Sequence, residues 1–227
     1  MEETILGTSK WRRFRHGRIQ EKYLRSRTKR ILDIVGAVVG VCIGWPILAV
    51  AMVIIRIVDR VPPVFSQSRF GLYGHPYIIY KLRTLTVIET PDMLTQDRVE
   101  RKPSRDPRCT RTGEFWRINS IDEIPQFWNV LKGEMSLVGY RPFPYYYTPR
   151  LSELPGLTNE DVKNYLGIIG LFRPGVTSLS SVNGRSKLLL QEKMEYDMIY
   201  ATRASFWYDF KIILRTLIVL VTREGAY

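Results

Sequence analysis

Asp122 and Glu123 stand side by side in SIDEIPQ, residues 120–126, within a chain that carries 34 lysines and arginines against 22 acidic residues. Two adjacent carboxylates can divide a phosphoryl transfer between them. One serves as the nucleophile, the other holds a hard divalent cation against phosphate oxygens, and nearby arginines clamp the charge that develops. Adjacent helical residues point about 100° apart, so the pair can approach one phosphate from different sides. A simpler reading also fits. Ser120-x-x-Glu123 is a capping box, in which the Ser120 hydroxyl takes an orphan N–H and Glu123 reaches back to the Ser120 N–H, while Asp122 complements the helix dipole.

The element that would position the pair is a helix starting at Ser120 and stopped by Gly133. Ile121, Ile124, Phe127 or Trp128, and Leu131 form its apolar stripe, and Asp122, Gln126 and Asn129 share another face. That polar face begins at the N-terminal end, where free N–H groups favour phosphate. Arg101, Arg105, Arg108, Arg111 and Arg117 run straight into the acids. A solvated basic face competes as an explanation for any one of them. Further upstream, residues 64–68 and 77–83 read as a hairpin turning at Gly71 to Gly74. Lys81 and Arg83, two apart on a strand, would project to one face. Residues 84–105 show no period and read as a polar connection.

Residues 31–55 are apolar with Asp33 as the only charge, about 37 Å long as a helix and enough to cross a bilayer. Pro46 falls near the middle, where proline kinks or breaks a helix. Both flanks are strongly basic, and positive residues favour the cytoplasmic side. A re-entrant helical hairpin broken at Pro46 satisfies both flanks, whereas a single span strands one of them. A signal peptide is set aside by the late start and the lack of a small-residue cleavage site. Residues 1–30 read either as a basic interfacial helix for anionic lipid headgroups or as a disordered basic arm. Near the other end, Phe206, Trp207, Phe210, Ile213, Leu214, Leu217, Ile218 and Val221 recur at helical spacing, on a helix that lies in the interface or packs on the core.

Composition bounds the partners. A formal charge of +12 predicts something anionic. Nucleic acid explains the charge but not the apolar segment, and no groove-reading or stacking motif is present. Cys42 and Cys109 are too few and too far apart for a disulfide framework or metal cluster, which points to a reducing, cytosol-facing domain.

The stretch DPRCTRTGEFWRINSIDEIPQFWNVLKGEMSLVGYRP resembles the core of the bacterial sugar transferase family, the monotopic phosphoglycosyl transferases. KRILDIVGAVVGVCIGWPILAVAMVIIRI looks like that family's membrane segment, with Pro46 at its break, and PVFSQSRFGLYGHPYIIYKLRTL like its hairpin. FRPGVTSLSSVNGR and YDFKIILRTLIVLVTREG resemble its C-terminal region. The resemblance implies transfer of a sugar-1-phosphate from a UDP-sugar to a polyprenyl phosphate such as undecaprenyl phosphate. It implies Asp122 as the nucleophile of a covalent phosphosugar-aspartyl intermediate, UMP as leaving group, and Glu123 on Mg²⁺. Lys81, Arg83, Arg108, Arg117 and Arg141 would contact phosphates or nucleotide, together with Gln126, Asn129 and Glu134. The chain departs from the family at Tyr140, where a proline is usual, at Glu134, where aspartate is usual, and at Ser178, Ser180 and Ser181, where glycine, tryptophan and glutamine are usual.

The expected fold is α+β and mainly helical: a membrane-associated monotopic domain with a re-entrant helical hairpin, a small β-hairpin and amphipathic interfacial helices. Its expected division is an arm at 1–30, a membrane segment at 31–60 and a catalytic domain at 61–227. The expected place is the cytoplasmic face of a bacterial inner membrane, in contact with anionic lipids, at the first membrane step of exopolysaccharide, O-antigen or glycoprotein glycan assembly. A homo-oligomer is compatible with the sequence. The rival expectation is a catalytically silent membrane-surface scaffold on the same fold.

Overall fold

A computed structural model describes residues 18–86, 108–154, 157–185 and 188–222. Most of the basic arm, and the connection bearing Arg101 and Arg105, lie outside the described residues. The arm's last part forms one turn, α1 (Glu21–Leu24). Ser26 then opens α2 (Arg27–Ile54) by accepting the Lys29 N–H, a capping bond of a kind that contributes about 1 kcal/mol.

Pro46 lies inside α2, and the chain is helical on both sides of it. The expected division into two separate helices at Pro46 is thus corrected to one helix with an interior proline. A proline removes a single N–H from the ladder, and the flanking turns carry the helix through. α2 passes into a π-helical turn, Ile55–Asp59, and ends at Arg60 in the left-handed conformation. By length and composition this helix could cross a membrane.

One stripe of α2 is buried throughout: Lys29, Asp33, Ala37, Gly44, Leu48 and Ala51, continued by Ile55. Spacings of three, four and seven keep these on one face. Ile31, Val35, Val39, Ile43, Trp45, Val50 and Val53 are exposed. Two glycines on the inner face set the approach of what packs there. A Cβ on Gly40 would meet the Phe127 ring at 2.7 Å, and one on Gly44 would meet Ile124 at 2.7 Å.

The hairpin forms as the sequence predicts. β1 (Val64–Phe70) pairs antiparallel with β2 (Pro76–Leu82), Lys81 opposite Phe65. α3 (Gly113–Ile118) leads into a 3₁₀ turn, Ile121–Glu123, then α4 (Gln126–Lys132). β3 (Ser136–Val138), a 3₁₀ stretch (Tyr145–Glu153) and α5 (Asn159–Ile169) follow. β4 (Gly175–Thr177) pairs parallel with β3, and α6 (Leu190–Arg203) and α7 (Phe206–Thr222) close the fold. The described residues are thus mainly helical, with two small two-stranded sheets.

The core is aromatic. Tyr140, Tyr147, Tyr165, Phe172 and Tyr200 are almost fully buried. Tyr140, at the position where the family resemblance expects proline, donates from its hydroxyl to the Phe70 carbonyl at 2.9 Å and packs edge-on to Phe172. It ties the hairpin to the core through a polar tip on an apolar body. α7 packs on the core by one face only. Asp209, Ile212 and Val219 face inward, while Trp207, Phe210, Leu214, Leu217, Ile218 and Val221 are exposed.

Beneath this core lies a buried ionic cluster. Lys29 Nζ reaches Asp33 Oδ1 at 2.9 Å, Asp209 Oδ2 at 2.8 Å and the Val138 carbonyl at 3.1 Å. Asp33 also accepts from the Ser136 hydroxyl and the Leu137 N–H. Asp209 also accepts from the hydroxyls of Tyr23 and Tyr200. Every charge there has fixed partners, and the cluster joins α2, β3 and α7.

Candidate active site

The capping box expected at Ser120 is not formed. Ser120 is left-handed (φ 55°, ψ 21°), its side chain caps nothing, and its hydroxyl accepts from Arg185 Nη2 at 2.6 Å. Helical structure here begins as the 3₁₀ turn, and Pro125 stands at the N-cap of α4, where a missing N–H costs little. The acids therefore precede the α-helix instead of sitting in its first turn. Gly133 ends α4 in the left-handed conformation (φ 87°), as the sequence predicts. Arg30 donates to the Val130 and Leu131 carbonyls and Arg173 to the Gly133 carbonyl, fixing the helix's far end.

The turn sends its two carboxylates to different fates. Glu123 is gripped by Lys81 Nζ on β2, at 3.0 Å to Oε1, and by a two-pronged Arg141, whose Nη1 lies 3.1 Å from Oε2 and whose Nη2 bonds Oε1. Burial alone would raise the Glu123 carboxyl, but Arg141 and Lys81 outweigh it and hold the group well below the usual carboxylate range. Asp122 is only 8% exposed; its side chain makes no hydrogen bond among the described residues, and its carboxylate oxygens are not among the fully enclosed polar atoms that lack a partner. Burial pushes its carboxyl up to about 6, against the pull of Lys81, Arg117 and Arg141 and with the push of the Glu123 charge. Two neighbours in sequence are thus driven apart, one locked as an anion and one left unpaired in a cationic field.

The remaining predicted residues divide. Arg117 lies near enough to act on Asp122 electrostatically, and its Nη1 donates to Cys109 Sγ at 3.6 Å. Arg83 makes different contacts from Lys81. β2 ends at Leu82, and Arg83 Nε turns back to the Pro62 carbonyl at 2.9 Å, its guanidinium lying over Phe65. The alternation of a strand is not enforced beyond the last paired residue. Arg108 contributes its carbonyl, which accepts from the Thr86 N–H and hydroxyl.

Asn129 and Glu134 form one hydrogen-bonded group between α4 and β2. Asn129 accepts from the Tyr80 N–H and donates to the Ile78 carbonyl, and Glu134 joins it at 2.7 Å while also pairing with Lys132. Together they pin α4 to β2 and so hold Lys81 against the acid turn. Gln126 is 1% exposed, and neither its amide oxygen nor its amide nitrogen has a hydrogen-bond partner among the described residues. Of the apolar alternatives, Phe127 packs inward and Trp128 is exposed.

Three residues that matter here escape sequence reasoning. Arg185 reaches Ser120 from 65 residues away. Asp197 on α6 accepts from the Tyr165 hydroxyl at 2.8 Å and lies beside the Arg141 main chain. Asp59, at the end of the π-helical turn, accepts from Thr110 and Thr112, and Thr112 in turn accepts from the Trp116 indole. Only their chemistry as polar residues could have flagged them, since no spacing links them to the acids.

The described residues hold no group of three or more His, Cys, Asp or Glu side chains able to bind a metal. The acid pair is a different kind of donor set. Hard cations such as Mg²⁺ take one or two carboxylates and complete their shell from phosphates and water, and Asp122 and Glu123 fit that pattern.

A family model described as bacterial sugar transferase matches residues 24–223. The galactosyl transferase CpsE of Streptococcus agalactiae is 39% identical over 212 residues, covering 90% of this chain and 44% of that protein. A UDP-glucose:undecaprenyl-phosphate glucose-1-phosphate transferase of Caulobacter vibrioides is 36% identical, covering 88% of this chain and 72% of that protein. The sugar transferase EpsL of Bacillus subtilis is 34% identical over 198 residues, 87% of this chain and 89% of that one. This chain therefore spans less than half of CpsE and most of the other two.

Proposed function

The chain belongs to the bacterial sugar transferase family, and from that premise we propose that it is a phosphoglycosyl transferase moving a sugar-1-phosphate from a UDP-sugar to a polyprenyl phosphate such as undecaprenyl phosphate. The observation that carries the reading is Asp122: a buried carboxylate without a hydrogen bond among the described residues, beside an acid that two cations have already claimed. A carboxylate left without a hydrogen bond in a field of three cations is free to meet a ligand, and perturbed groups of this kind concentrate at functional sites. A silent scaffold would have no use for it.

In the first step an Asp122 carboxylate oxygen forms a bond to the sugar-bearing phosphorus of the UDP-sugar. The bond from that phosphorus to the bridging oxygen breaks, and UMP departs with the electron pair. In the second, a polyprenyl phosphate oxygen attacks the same phosphorus, the Asp122 oxygen–phosphorus bond breaks, and polyprenyl-diphospho-sugar leaves. Lys81, Arg117 and Arg141 supply the positive field that draws a diphosphate and offsets the charge gathering on it. Glu123 is the residue that would hold Mg²⁺. The ion would supply charge neutralisation on the diphosphate. Glu123 Oε1 already accepts from both Lys81 and Arg141, whereas Oε2 accepts from Arg141 alone and keeps a lone pair for such a ligand.

The lipid substrate calls for a membrane site, and α2 supports one. Its inner stripe is fastened to the domain from Lys29 to Ile55 while its outer faces are apolar and exposed, which suits a helix embedded beside its domain better than one leaving it. The exposed face of α7 extends the apolar surface. We place the site at the cytoplasmic face of the inner membrane, on a monotopic domain among anionic lipids, at the opening membrane step of surface-glycan assembly. Cysteine labelling of the two flanks of α2 tests the topology, and labelling from opposite sides of the membrane would overturn it. UMP release from a panel of UDP-sugars in the presence of Mg²⁺ tests the chemistry. Release that depends on Asp122 is the expected result, and no release from folded protein across the panel would overturn the reading.

A further inference from the structure

Four described residues other than glycine adopt a positive φ: Arg60, Tyr73, Ser120 and Arg185. Two of these four are bonded to each other. Arg185 Nη2 donates to the Ser120 hydroxyl at 2.6 Å, and Ser120 is the last residue before the turn that carries Asp122 and Glu123. For a serine, the left-handed region is sparsely populated and persists only where the surroundings hold it. The Ser120 side chain makes no bond to its own turn; its N–H donates to the Arg117 carbonyl and its carbonyl accepts the Glu123 N–H, while its hydroxyl is held from outside, by Arg185.

The loop that presents Arg185 is built for rigidity. Ser178 Oγ accepts the Ser181 N–H at 3.1 Å and lies 2.9 Å from Ser180 Oγ and 2.8 Å from Ser181 Oγ. Asn183 donates from its side chain to the Leu179 carbonyl at 2.7 Å, and the Asn183 and Arg185 N–H groups both meet the Ser180 carbonyl. Ser178 and Ser180 are almost fully buried. Short hydroxyl side chains that close bonds within their own loop replace helix or sheet as scaffolding. These are the positions at which the chain departs from its family's usual Gly, Trp and Gln, and here the serines make a platform that ends in Arg185.

We propose that Arg185 is a positioning residue for the nucleophile: through the Ser120 hydroxyl it holds the 3₁₀ turn in the conformation that aims Asp122 into the site, and the Ser178–Ser180–Ser181 loop exists to hold Arg185 there. The proposal rests on the phosphoglycosyl transferase reading above. Misplacing a reacting group by about 1 Å costs on the order of 10²-fold in rate, so Arg185→Ala and Ser120→Ala should each lower kcat for UMP release by about 10²-fold. The KM for the UDP-sugar should change little in either.

The decisive experiment is the double-mutant cycle of Ser120→Ala and Arg185→Ala, with thermal midpoints recorded for each variant. If Arg185 acts through Ser120, the double variant is no slower than the slower single variant. Losses that multiply, a Ser120→Ala variant with wild-type turnover, or an Arg185→Ala variant that raises KM at unchanged kcat would each overturn the proposal, the last by making Arg185 a direct substrate contact. Arg185→Gln retains an amide donor and replaces the alanine variant if that one does not fold; it should recover part of the kcat. Hydrogen exchange at the amides of residues 121–123 needs no substrate. Both single variants should accelerate it equally, and unchanged exchange would overturn the proposal even if no UDP-sugar were ever turned over.

Discussion

Two groups of buried acids lie within this fold, and they are built on opposite terms. In the cluster around Lys29, Asp33 and Asp209 meet a lysine, a serine hydroxyl, a main-chain N–H and two tyrosine hydroxyls. In the acid turn, Glu123 is paired with two cations while Asp122 beside it makes no hydrogen bond among the described residues. The first cluster has every charge answered and fastens α2 to α7 and β3. The second holds back one carboxylate, whose proton affinity burial has raised. Buried charge alone does not mark a reactive site. What sets Asp122 apart is the absence of a hydrogen bond within a field of three cations.

This contrast breaks first at Asp122 itself. Asp122→Asn should remove UMP release by about 10⁴-fold or more, as loss of a nucleophile does, with a thermal midpoint equal to or above the parent's because an unpaired buried charge has gone. Lys29→Met should behave in the opposite way. Removing one partner from a buried ion cluster costs about 3–5 kcal/mol, so chemical denaturation should show a large loss of stability, and UMP release should fall only in proportion to the folded fraction. Equal stability losses in the two variants would erase the distinction.

Glu123→Gln sits between them. Lys81 and Arg141 would lose their anchor, and turnover should drop by about 10²–10³-fold, the scale for one electrostatic contact to a developing charge. The smallest expected effect belongs to Asp197, whose carboxyl burial pushes up to about 8 although the Tyr165 hydroxyl and the Arg141 main chain favour its charged form. The folded chain keeps a proton that the unfolded chain releases near pH 4. The Asp197 contribution to stability therefore falls as pH rises from about 4 to about 8, and levels off above that. Asp197→Asn should flatten that part of a melting profile recorded across pH, and an unchanged slope would remove Asp197 from the description.

Much of this was legible from the residues. Asp122 and Glu123 announce themselves by being adjacent acids in a chain of charge +12. Period and turn residues give the hairpin, and Gly133 marks the end of α4. What escaped is governed by contacts remote in sequence. Ser120-x-x-Glu123 satisfies the pattern of a capping box, yet Arg185, Lys81 and Arg141 compete for the same side chains and win, because charge-assisted bonds outweigh a neutral cap. Asn129 bonds the edge of β2, and Glu134 bonds Asn129 and Lys132, contacts that no spacing in the sequence announces. At Pro46 the local rule predicts a division, and packing of the inner stripe on both sides of the proline favours one continuous helix.

Intact-protein mass spectrometry after brief incubation with a UDP-sugar and Mg²⁺, without any polyprenyl phosphate, tests the role of Asp122 most directly. The expected result is a gain equal to one sugar phosphate, located at Asp122, accompanied by UMP, reversed on adding polyprenyl phosphate and absent from Asp122→Asn. Product formation that requires both substrates together, with no adduct trapped on Asp122 and with turnover retained in Asp122→Asn, would contradict it.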